Sequence, residues 1–160
     1  MTQGANGWEA RRDVSDPRAV LEPVAAVLRA AGFYAYTTLD AENRWSVACD
    51  TDEGHVDVRV GDDGYELDVW DTSPGLFMDD ENERRREARE RLARVSLPAI
   101  ARGLLEPAQD VWWDEGLHGV GVRLRCQVPF ALRDEIGRIA KERLARLNAV
   151  IGEVEARLME

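Results

Sequence analysis

The segment after Val128, "PFALRDEIGRIAKERLARLNAVIGEVEARLME", constrains the fold of this chain more than any other. Leu132, Ile136, Ala140, Leu144, Leu147, Ile151, Val154 and Leu158 recur at spacings of 4, 4, 4, 3, 4, 3 and 4. These spacings follow the ordinary helical period first and a heptad seam after it. The pattern predicts a helix of about 29 residues beginning at Pro129 or Phe130, roughly 44 Å long. A sheet from one copy of the chain is expected to have difficulty covering a stripe of that length. Leu147, Ile151, Val154 and Leu158 are therefore expected at the interface of a homodimer.

What lies upstream predicts the sheet. "FYAYTTLD", "RWSVACD", "HVDVRVG" and "YELDVW" are short runs joined by the turn formers "AEN", "TDEG" and "DDG", the pattern of an antiparallel meander. Val56, Val58 and Val60 alternate with His55, Asp57 and Arg59, so one face is expected to be buried and the other wet, with Trp45, Val47 and Cys49 inward on the preceding strand. Two more strands are expected over about residues 108 to 115 and 118 to 128, around "EGLHG". Val120, Val122, Leu124, Cys126 and Val128 face one way there, and Arg123, Arg125 and Gln127 the other.

Two further helices complete the order. Asp16 is placed to cap the first and Pro17 fits its first turn, while Val20, Val24, Val27, Leu28 and Ala31 mark one face before Gly32. Pro23 is expected to bend it or delay its start. In the second, Asp79 or Asp80 is the expected cap, Ala88, Leu92, Val95, Ala99 or Ile100, and Leu104 the expected apolar face, and Pro98 the expected point of division. The fold class is α+β, an antiparallel sheet of about six strands backed by helices in the order α-ββββ-α-ββ-α. Residues 1–15 read as a flexible tail that Trp8 could pin locally, and residues 16–160 as a single domain.

Charge narrows the partners. The chain of 160 residues carries a net charge of −10, which disfavours nucleic acid and anionic membranes. Residues 40–83 hold 15 acids against Arg44 and Arg59, whereas residues 84–160 hold 12 acids against 15 bases. The one basic cluster, "ERRREARER", interleaves Glu with Arg at compensating helical spacings and reads as a solvated face. No apolar run approaches the length that crosses a bilayer, and the first residues lack a signal-peptide core, so the expected location is the cytoplasm. Two cysteines fit reduced, buried thiols.

Catalytic patterns are sparse. Cys49 and His55 flank a hairpin, yet alternation puts them on opposite faces, so they read as a core thiol beside a surface histidine. His118 and Cys126 are eight residues apart along one expected strand, about 26 Å, too far to share zinc. "DTDEG" and "DDENE" lack the calcium-loop spacing, since Gly61 falls at the position that needs Glu, and read as turn and cap chemistry. No phosphate-cradling loop, HExxH or GxSxG is present. No cofactor and no metal are expected.

The inferred order resembles that of class I type III secretion chaperones and of the YbjN-like family of sensory transduction regulators. The likeness is carried by the first helix ending in "RAAGF", the meander from Phe33 to Trp70, the strand "GVGVRLRCQVPF" and the long helix after it, over residues 17 to 158. The fourth meander strand and Pro98 depart from that pattern. The resemblance implies a non-enzymatic, frequently dimeric module that holds or recognises another polypeptide across its sheet or around its helices. Trp70, Trp112 and Trp113 are the expected protein-binding residues, with the acidic meander supplying steering. Two alternatives stand beside this reading. One is a small-molecule or metal-binding domain, an enzyme included, with a pocket lined by Tyr34, Tyr36, Trp45 and Trp113. The other is a purely structural oligomerisation protein.

Overall fold

The computed structural model describes residues 16–106 and 109–160. The expected tail, Trp8, and the start of the expected strand near residue 108 lie outside them. The elements run α1 (Pro17–Ala30), β1 (Ala35–Leu39), β2 (Trp45–Thr51), β3 (Gly54–Val60), β4 (Tyr65–Ser73), α2 (Glu83–Leu104), β5 (Asp110–Asp114), β6 (Gly119–Val128), a 3₁₀ segment (Phe130–Glu135) and α3 (Ile136–Leu158). The strands form one six-stranded antiparallel sheet in the order β1-β2-β3-β4-β6-β5, and the class is the α+β class expected. The chain divides into two compact units, Met1–Asp68 with Cys126–Lys141, and Val69–Arg125 with Glu142–Glu160.

In the first unit, Asp16 caps α1 by accepting the Arg18 N–H at 3.0 Å. Leu21, Val24, Ala25 and Leu28 are fully buried, so the buried stripe is centred on Leu21 and Ala25, and Val20, Val27 and Ala31 lie at its margins. Pro23 neither breaks nor delays the helix. Its missing N–H leaves only the carbonyl of the exposed Ala19 without a helical partner, within reach of water. Helix α1 packs on β1, β2 and β3. The register Ala35↔Cys49, Thr37↔Val47, Val47↔Val58 and Cys49↔Val56 gathers these residues on one face. At the β1–β2 turn, Asp40 accepts the N–H groups of Glu42 and Arg44, both at 2.9 Å.

The opposite face of this unit is not simply wet. Ser46 is fully buried and Ala48 and Asp68 nearly so. Arg59 offsets the carboxylates there, reaching Asp68 at 3.3 Å, Glu66 at 3.4 Å and Asp40 at 3.5 Å. The chain after β6 corrects the expected helix start. Pro129–Glu135 winds as a tighter turn whose Leu132 is non-helical and exposed, so α3 has 23 residues, beginning at the buried Ile136.

The second unit contains the larger departures. Asn82 caps α2 by accepting the Arg85 N–H at 3.0 Å, in place of Asp79 or Asp80. Pro98 does not divide α2, which runs unbroken to Leu104. The proline stands on the exposed side, where the carbonyl left without its N–H is within reach of water. The buried face of α2 carries Glu90, Ala93 and Leu97, whereas Leu92 is 66% and Val95 77% exposed. The physical reason is that the charged residues on the buried side find partners: Glu90 pairs with His118 at 2.9 Å, and Arg89 stacks over the Phe77 ring at 4.4 Å.

Candidate functional site

Three side chains from β4, β5 and β6 of the second unit meet on the sheet face that bears Arg123 and Gly121. Register decides which they are. Trp112 lies opposite Gly121 and Asp110 opposite Arg123, while Val111 and Trp113 pair with Val122 and Val120 on the other face. A Cβ at Gly121 would land inside the Trp112 indole, so this glycine is what lets the ring lie across β6. The Arg123 guanidinium sits 5.9 Å from the Trp112 ring centre and 5.8 Å from that of Trp70, cation–π distances on both sides.

The electrostatics of Arg123 differ from those of its neighbours. Its Nε is buried without a hydrogen-bond partner, and no carboxylate among the described residues pairs with its guanidinium. Asp110, aligned with it across the strands, turns instead to Arg125 at 3.3 Å. Gln109 clamps that end of the hairpin, donating to the Arg125 carbonyl and accepting the Arg125 N–H. A half-buried cation between two indoles is a preorganised donor of in-plane hydrogen bonds.

The expected binding residues thus separate. Trp70 and Trp112 come together around Arg123. Trp113 points to the other face, stacked on the buried Phe77 with ring centres 6.1 Å apart. Alternation had placed Arg123 on the polar face, but nothing along the chain marks it as lacking an acidic partner. In the expected seam, Leu147 and Val154 are fully buried within a single chain, Ile151 is 8% exposed and Leu158 half-buried.

The pocket expected from Tyr34, Tyr36 and Trp45 does not assemble. Tyr36 pairs with Ala48 and Trp45 with Leu39, which puts the two rings on opposite faces. Tyr34 is exposed, and Trp45 lies under the Arg18 guanidinium at 4.9 Å. Cys49 and His55 also face opposite ways. Burial, reinforced by Asp57 and Asp50, pushes the Cys49 thiol up to about 12. His55 instead bonds Asp50 at 2.5 Å, and the same carboxylate accepts the Tyr36 hydroxyl at 2.9 Å.

Among the described residues no group of three His, Cys, Asp or Glu could hold a metal ion, and no described helix is long and apolar enough to cross a membrane. His118 precedes β6 in a left-handed conformation, φ 54°, rather than lying in the strand. The basic cluster is partly spent on its own chain. Arg85 grips Asp80 with two hydrogen bonds, at 2.7 and 2.8 Å, and holds that carboxyl far below the usual range, helped by the Asn82 N–H and Arg89. No family model, curated protein or solved structure matches this chain.

Proposed function

We propose that this protein is a non-enzymatic module that recognises another polypeptide on the sheet face carrying Trp70, Arg123 and Trp112, and that it works as a cytoplasmic homodimer. The observation behind the reading is the Trp70–Arg123–Trp112 cluster itself. Aromatic and arginine side chains are the residues that dominate polypeptide-binding hot spots, and here two tryptophans flank a cation that no described side chain neutralises. Trp113 joins this reading only as support beneath the surface, since its ring packs on Phe77.

The homodimer contact belongs on α2 in this reading. Leu147, Ile151 and Val154 have little surface left to bury. Ala88, Leu92, Val95 and Ala99 form instead an exposed apolar stripe on α2, the kind of feature that marks a contact surface.

Selection from a displayed peptide library on the immobilised full chain tests the binding surface. Peptides are expected to enrich on the wild type and to be lost on a Trp112→Ala variant that keeps its melting temperature. Enrichment that survives both Trp112→Ala and Trp70→Ala would place binding elsewhere.

A further inference from the structure

We infer that the bound segment presents an Asp or Glu side chain, and that its carboxylate seats on Arg123 between Trp70 and Trp112. The inference rests on the polypeptide-binding reading and adds the chemistry of the partner. Several arginines of this fold have an acid beside them: Arg59 has Asp68 at 3.3 Å, Arg85 has Asp80 at 2.7 Å, Arg94 has Glu115 on both its Nε and Nη2, and Arg125 has Asp110 at 3.3 Å, while Arg84, Arg91 and Arg102, which have none among the described residues, stand exposed to water. Arg123 has two indoles and a buried Nε with no acceptor. A guanidinium stays charged at any working pH, and one with which no described carboxylate pairs can gain charge-assisted hydrogen bonds from a ligand oxygen through its remaining N–H groups.

Geometry and charge narrow the ligand further. The indoles stand at cation–π distance from the guanidinium, and a guanidinium is the cation that a carboxylate can meet with two parallel hydrogen bonds. One unpaired cation balances one negative charge. Asp110 stands opposite Arg123 in register, and the whole chain carries −10, so a doubly charged phosphate is the poorer fit. The exposed parts of the Trp70 and Trp112 rings then favour apolar neighbours beside the acidic residue of the segment. The expected recognition pattern is therefore an acid flanked by apolar side chains.

The test takes the leading peptide from the displayed library and titrates it against the full-length protein by tryptophan fluorescence, beside an analogue whose acidic residue is replaced by its amide. The amide is expected to bind about tenfold or more weakly. Arg123→Gln should lose affinity for the acidic peptide by a similar factor and no longer distinguish the two peptides, the signature of a direct coupling. The comparison of the two peptides on wild-type protein needs no variant, so a poorly folded Arg123→Gln does not blunt it. Peptides that depend on Trp112 but tolerate the amide would overturn the carboxylate and leave the polypeptide-binding reading standing. Loss of binding on amidating only the peptide's C-terminus would overturn the side-chain assignment, as would stronger competition by inorganic phosphate than by acetate. Failure of the wild type to enrich any peptide would overturn both proposals.

Discussion

Two glycines on β6 show how single atoms set this surface. At Gly121 an added methyl would strike the Trp112 indole, a side chain able to swing away; at Gly119 it would strike the Ser73 carbonyl and the backbone beyond it, which cannot. Gly121→Ala is therefore expected to cost about 1–3 kcal/mol and to alter the near-ultraviolet circular dichroism of the displaced tryptophan, with Gly119→Ala costing more in urea unfolding. The reverse order would mean that Trp112 is held more rigidly than the β4–β6 backbone. Cys49 makes a second residue-scale case. Its thiol is fully buried and pushed up to about 12, so it stays protonated well above neutral pH. A thiol reagent applied at mildly alkaline pH should leave Cys49 unlabelled in the native protein and label it only on unfolding. Rapid native labelling of Cys49 would contradict the packing of α1 on β2.

Helix α2 depends at its start on one carboxylate. Asp80 accepts from Arg85 and from the Asn82 N–H, and its folded pKa lies below the ordinary value of 3.8. A carboxyl depressed on folding contributes stability that is complete above its unfolded pKa and disappears as pH falls through the folded one. Asp80→Asn should therefore be less stable than wild type at neutral pH, and the gap should close in strong acid. A gap that widens on acidification would show that the pair with Arg85 does not stabilise the helix. The same helix explains what was readable along the chain. The strands were readable because a period of two leaves only two faces, and Val56, Val58, Val122 and Leu124 choose between them. Helix α2 carries two competing stripes, and the more apolar one, Ala88, Leu92 and Val95, is the one left outside. The buried stripe is acceptable only because His118 meets Glu90 and Phe77 meets Arg89, pairings that no local pattern reveals. Arg123 is a similar case: its face was readable from alternation, its missing partner was not.

At the scale of the whole molecule, the unburied stripe on α2 has a symmetry that favours self-association. Ala88, Leu92, Val95 and Ala99 are spaced 4, 3 and 4, centred between Ala93 and Arg94, which is also the midpoint of Glu83–Leu104. An antiparallel pair of copies related by a two-fold axis would set Leu92 of one against Val95 of the other and Ala88 against Ala99, a self-complementary contact. The small alanines at both ends permit close approach of the helices. Four modest side chains cover less than the roughly 800 Å² per partner of a standard interface, so the affinity should be weak, on the order of micromolar. Arg84, Arg91 and Arg102 are exposed and without an ion pair among the described residues. Pairing two copies brings these like charges together, so added salt should strengthen the dimer by screening them. Light scattering across a wide concentration range should show mass rising from 18.0 kDa toward twice that value. A Leu92→Asp, Val95→Asp double variant should stay at the lower mass with an unchanged unfolding midpoint, because neither side chain contributes to the core. A wild type that remains monomeric at every concentration and salt would refute the homodimer. A double variant that still dimerises would move the contact away from α2 while keeping the dimer.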